Sequence, residues 1–121
     1  MVFADIKKKH ASHALTADID LTETANTAVF MRADGLVITA GFTGQAPNLE
    51  DLQALDGLPV IRLVGSGVEP SNLAEYCDLA DVFIVGSWFK GDGHWANPPE
   101  KSRVEHLVST FRELQQARGS R

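Results

Sequence analysis

Val60-Ile61-Arg62-Leu63-Val64-Gly65-Ser66-Gly67-Val68 and, one unit later, Val82-Phe83-Ile84-Val85-Gly86-Ser87 decide the architecture. Each is a short apolar run that ends in glycine and serine and is followed by a helical pattern. Residues 82–85 are apolar at every position, which suits a strand covered on both faces of a parallel sheet. A glycine directly after such a strand lets backbone N–H groups approach an anion, and a helix starting next adds its dipole. A lone Gly-Ser-Gly turn is common and carries little. Two such turns in consecutive strand-helix units match the way (β/α)8 barrels hold phosphate after strands 7 and 8.

Working outward, residues 2–6 and 36–40 supply two further strand candidates beside 60–64 and 82–85. Helix patterns lie between and after them. Asp20 with Glu23 has capping-box spacing, and Ala25, Ala28, Val29 and Arg32 continue at helical intervals to a stop at Asp34-Gly35. Asn48 caps a shorter helix with Leu49, Leu52 and Leu55 inward, ending at Gly57, and Ser71 caps a third. The fourth carries the apolar stripe Val104, Leu107, Val108, Phe111 and Leu114, with Arg103, Glu105, Arg112 and Glu113 largely opposite. The order β-α-β-α-β-α-β-α predicts an α/β protein with parallel strands, a (βα)4 half-barrel. Residues 1–118 form its one domain; residues 119–121 read as a cloning scar or disordered tail. Ala33-Asp34 and Ala80-Asp81 echo one another before the second and fourth strands, and both aspartates are expected in turn and capping roles.

Composition narrows the function classes. The 121 residues are 44% hydrophobic and 22% charged, ordinary for a globular domain. A formal charge of −5 argues against a nucleic-acid binder, and Lys7-Lys8-Lys9 is too short a run to change that. No apolar run approaches the roughly 20 residues of a membrane span and no leader pattern opens the sequence, so a cytoplasmic location is expected. The single cysteine, Cys77, reads as a small apolar helix residue; no paired Cys/His spacing suggests a metal, and no cofactor is called for.

A family resemblance rests on Phe3-Ala4-Asp5-Ile6 with Lys9-His10-Ala11, Ala33-Asp34-Gly35 leading into Ile38-Thr39, and Thr43-Gly44. Gly65-Ser66-Gly67-Val68 and Ile84-Val85-Gly86-Ser87 with Lys90, Asp92-Gly93 and Asn97 complete it. The chain resembles the C-terminal half of the BtpA/SgcQ family, which implies a phosphate-binding type of (β/α)8 barrel. The cyanobacterial namesake implies a role in photosystem I biogenesis or stability. Ala40 stands where a family glycine is expected, residues 60–64 make a longer strand than usual, and the chain has room for four units where the barrel has eight.

Gly65, Ser66, Gly67, Gly86 and Ser87 are the expected phosphate ligands. Asp5 and Lys9, at the end of the first strand where barrel enzymes place reacting groups, are the candidate catalytic pair, with a solvated lysine as the alternative for Lys9. His10 and His13 read as surface histidines rather than ligands. Arg62, inside an apolar strand, requires an anion or carboxylate partner, or a place at a strand end or subunit interface. Lys90, Asp92, His94 and Trp95 lie in a loop long enough to close over a ligand. His94 and Trp95 are candidates either to stack on or hydrogen-bond a substrate or to pack under the last helix. Trp88 and Phe89 are expected to pack there, and His106, on that helix beside its apolar stripe, reads as structural. The first-ranked reading is a half-barrel module that keeps a pocket for phosphate or a phosphorylated small molecule without turnover of its own. The alternatives are a phospholigand-binding barrel enzyme formed on dimerisation and a non-catalytic photosystem I assembly factor. Four parallel strands leave two open edges, so the expected partner is a second copy, in a homodimer or higher even oligomer.

Overall fold

A computed structural model describes residues 1–6, 20–39, 46–65 and 67–119. Lys9, His10, His13, Ala40, Thr43, Gly44 and Ser66 lie outside the described residues. The elements alternate as β1 (Phe3–Asp5), α1 (Leu21–Phe30), β2 (Gly35–Thr39), α2 (Leu49–Gln53), β3 (Ile61–Gly65), α3 (Pro70–Tyr76), β4 (Val82–Ile84) and α4 (Lys101–Gly119). The strands form one sheet in the order β1-β2-β3-β4. All three pairings are parallel, with Phe3 beside Gly35, Gly35 beside Ile61 and Leu63 beside Val82.

The helix ends differ from expectation more than the strands do. Asp20 caps α1 as its spacing predicts, accepting the Glu23 N–H at 2.7 Å. The helix stops at Phe30, short of Asp34-Gly35, where Arg32 takes a left-handed φ of 66° and the Ala33 N–H reaches back to Ala28 O. Asn48 caps α2, accepting the Glu50 N–H, and the turns that follow end at Gly57, whose φ of 88° favours glycine. Ser71 is not the cap of α3. Glu69 is, because Pro70 suits the first helical position, where no N–H is needed, and Asn72 Oδ1 accepts the Glu69 N–H at 3.0 Å. Helix α4 follows Pro98 and Pro99 and ends at Gly119, so the last helical residue is one placed in the tail by sequence.

Helices α1–α4 pack on the same face of the sheet. Ala25, Leu52, Leu55, Leu73 and Tyr76 form one cluster with Leu36, Ile38 and Val64, and Phe111 and Leu114 of α4 lie against it. Tyr76 anchors the layer by donating its hydroxyl to Pro47 O at 2.7 Å, and burial, aided by Glu75, pushes its pKa upward. On the opposite face a Cβ at Gly35 would come within 2.7 Å of Phe3 and 2.9 Å of Leu63, and one at Gly65 would meet Thr39, Val37 and Ile84. Those neighbours identify the second face, and among the described residues no helix covers it. One helix layer over a parallel sheet, in this order, is half of a (β/α)8 barrel.

The two echoed aspartates do the same work at the base of the sheet. Asp34 accepts the Val2 N–H on Oδ2 at 2.6 Å while its own N–H donates to Val2 O at 2.8 Å. Asp81 accepts the Arg62 N–H on Oδ2 at 2.9 Å while its N–H donates to Arg62 O at 2.8 Å. The aspartate before one strand thus latches the start of the strand before it. Arg62 has carboxylate partners, as its place in an apolar strand requires: Nη1 lies 3.0 Å from Asp56 and Nε 3.8 Å from Asp81. Its side chain is only 17% exposed, so the latches are not equivalent. Asp81→Ala will cost about 1–3 kcal/mol in urea unfolding, since it strips a half-buried cation and an N–H of a partner. Asp34→Ala serves an exposed N–H that water can satisfy, and will cost well under half as much.

Candidate functional site

The loops after β3 and β4 enclose a cavity of about 490 Å³ at the C-terminal end of the sheet. Gly67, Val68 and Glu69 form one wall; Ser87, Trp88, Asp92, Gly93, His94 and Trp95 form the other, with Arg103 from the first turn of α4. Gly67 and Ser87, two of the expected phosphate ligands, therefore meet at one site. Gly67 takes a left-handed φ of 67°, a conformation that favours glycine. Asn72 Nδ2 donates to Gly67 O at 2.8 Å and holds that carbonyl away from a competing partner. Gly65 sits within the sheet, beside Thr39 and Ile84, and Gly86 precedes a 3-10 turn over Ser87–Phe89.

The helix dipole expected to assist an anion is already engaged. Glu69 stands at the N-terminus of α3, and its carboxylate accepts the Ser71 hydroxyl. The positive group in the cavity is instead Arg103, which the helical pattern assigns to the polar side of α4. Its guanidinium carbon lies 3.9 Å from the centre of the Trp88 ring and its Nε donates to Trp88 O, while Trp88 Nε1 donates to Arg103 O at 3.3 Å. A cation in the first turn of a helix opposes the macrodipole, so an arginine there signals a use beyond helix formation. That was the clue available in the sequence.

The long loop is built rather than loose. Gly91 N–H donates to Pro98 O at 3.0 Å, Glu100 N–H to Phe89 O at 2.7 Å, and Asn97 Nδ2 to Gly91 O at 2.8 Å. Lys90 and Pro99 form an antiparallel bridge at its base. It therefore forms a fixed wall of the cavity. His94 and Trp95 do not pack beneath α4; they stack on each other with centroids 5.7 Å apart, and Trp95 is 68% exposed. His106 meets Trp88 edge to face at 6.1 Å.

Asp5 lies on β1, exposed, with Phe3 on the uncovered face and β2 between it and β3. Burial pushes the Cys77 thiol up, against the pull of Arg118, so it is poorly suited to act as a thiolate. Among the described residues no three of His, Cys, Asp and Glu converge in a way that could hold a metal, and no helix is long and apolar enough to cross a membrane.

Fold and site together define a (βα)4 half-barrel with a polar cavity at the carboxyl ends of its last two strands. The chain belongs to the BtpA family, which it matches over residues 1–113. It is 38% identical over 116 residues to an uncharacterised mitochondrial protein of Caenorhabditis elegans, covering 93% of this chain and 41% of the relative. It is 37% identical over 111 residues to a protein of Pyrococcus furiosus, covering 89% and 40%. To the photosystem I biogenesis protein BtpA of Synechocystis it is 31% identical over 116 residues, covering 93% and 39%. The chain thus spans about two-fifths of the length of the curated relatives it matches.

Proposed function

We propose that the chain is a half-barrel module that binds the phosphate group of a small molecule between its third and fourth strand-to-helix loops, and that a second copy completes the barrel. One observation carries the reading: Gly67, Ser87 and Arg103 line the same cavity. An exposed backbone, a hydroxyl and a guanidinium are the donors phosphate recognition needs. The Glu69 carboxylate on the rim works against an anion, and its engagement with the start of α3 lessens that cost. Asp5, and Lys9 if it faces the barrel mouth as strand alternation implies, would supply proton transfer only in a closed barrel.

Titrating inorganic phosphate while following thermal unfolding tests the site. A ligand that binds only the folded chain stabilises it by about 2.7 kcal/mol at one hundred times Kd, so Tm will climb with concentration. The Gly67→Asp, Gly86→Asp double variant will lose that climb. A Cβ at Gly86 meets nothing within 4 Å, and aspartate tolerates the left-handed φ at 67 better than most residues, so the variant will fold. An equal climb in the double variant, or none in the parent at millimolar phosphate, would refute the assignment.

A second reading follows from the uncovered sheet face. Phe3, Val82 and Ile84 are 44%, 40% and 48% exposed, an apolar surface suited to another protein. The Synechocystis relative is named for photosystem I biogenesis. An assembly role for this chain predicts that the face stays open in its native oligomer, and binding of a hydrophobic dye separates the two readings.

A further inference from the structure

The phosphate reading leaves most of the cavity unused. A phosphate fills a small part of about 490 Å³, and the remaining walls are flat. On one side the guanidinium of Arg103 lies over Trp88 at 3.9 Å. On the other the His94 and Trp95 rings stack within 25° of parallel. Gly93 joins the two, and a Cβ there would lie 3.3 Å from Arg103 Nη2, so the glycine lets the stacks approach. The turn that aims the second stack is specific: Asp92 and Gly93 both take left-handed φ values, 55° and 69°. The Ala96 N–H then donates to His94 Nδ1 at 3.2 Å, which fixes the imidazole plane and leaves Nε2 as its donor. An indole 68% exposed on such a fixed loop, with His94 stacked beside it, keeps most of its surface open to a ligand. Asp92 and Glu69, the carboxylates of the lining, offer acceptors for amino or hydroxyl groups.

We infer that the cavity takes a phosphate ester whose organic part is a flat heteroaromatic ring, a nucleoside monophosphate by class. The ring lies on the Trp95–His94 stack and the phosphate lies at Gly67 and Ser87. This rests on the phosphate reading above and adds the ring to it. A plain sugar phosphate uses the acceptors but leaves the flat walls bare, whereas a base on an aromatic platform gains about 5- to 150-fold in affinity.

The test compares four probes on the whole chain by calorimetry and tryptophan fluorescence: inorganic phosphate, ribose 5-phosphate, adenosine and adenosine 5′-monophosphate. The expected result is that the monophosphate binds at least 5-fold tighter than ribose 5-phosphate and quenches tryptophan emission, and that Trp95→Ala brings the two affinities together. Trp95 is mostly exposed, so the variant keeps its fold. Equal affinities in the parent chain overturn the ring and leave the phosphate site standing. Adenosine binding as tightly as its monophosphate overturns the phosphate anchor, and with it the proposal as stated. A preference that survives Trp95→Ala overturns the platform, and binding of none of the four overturns the site altogether.

Discussion

At micromolar concentration, sedimentation equilibrium of the chain will give twice its mass of 13.1 kDa. The reason lies in what the sheet leaves open. Among the described residues β1 and β4 are the edges of the sheet, and proteins normally cover the N–H and C=O groups along such edges. The edges are also apolar: Met1, Val2 and Phe3 are 91%, 61% and 44% exposed at one, Val82 and Ile84 are 40% and 48% exposed at the other. At the base of α1, beside the first edge, Phe30 and Met31 are 84% and 73% exposed. A groove of about 510 Å³, lined by Val82, Phe83, Phe89, Leu107 and Phe111, runs along the second. Two chains of 121 residues come close to the ~250 of a complete (β/α)8 barrel. Two-fold closure would pair β1 of each chain with β4 of its partner. Val82→Lys with Ile84→Lys will return the mass to that of one chain. A stable single-chain species of the parent refutes the dimer. Fast amide exchange along β1 and β4 in a species of double mass would favour packing of the open faces over closure.

The second large effect contrasts two isoleucines on opposite faces. Ile38 is fully buried between β2 and the helices, and Ile38→Ala will cost about 2–5 kcal/mol in chemical unfolding. Ile84 is 48% exposed on the uncovered face, and in an isolated chain its truncation will cost about 1 kcal/mol or less. In a closed barrel it becomes a core residue. Ile84→Ala will then approach the cost of Ile38→Ala, and the loss will grow with dilution because it weakens association. A concentration-independent, small effect at Ile84 would mean that nothing covers that face.

The strands were readable as short, mostly apolar runs, and their bounds fall within one residue of those read from sequence. Only the inner pair is largely buried on both faces: β4, expected to be, exposes Val82 and Ile84 on one side. Helix starts were readable where a side chain does the capping, as at Asp20 and Asn48. Ser71 misled because its hydroxyl serves Glu69 instead, and Pro70 sets the helix start two residues earlier. Arg62 was flagged by its neighbours, but its partners, Asp56 and Asp81, come from the loops before β3 and β4. The cavity was half legible. The glycine-serine turns follow strands and leave a local signature, whereas Arg103 reaches the site by folding back over Trp88, fifteen residues earlier. Helical spacing describes which way a residue points from the axis, and a long side chain can bend away from that direction.

The course of α4 has an evolutionary consequence. Arg118, near its end, donates to Cys77 O and lies 3.5 Å from Asp78, just past α3, at the end of the sheet where every strand begins. β1 begins at that end too. In a two-fold closed barrel the last helix of one chain finishes beside the first strand of the other. A gene duplicated in tandem could join the two through a short connector without rerouting the backbone. The same architecture could thus exist as two associating polypeptides or one continuous chain of twice the length, with either copy then free to diverge.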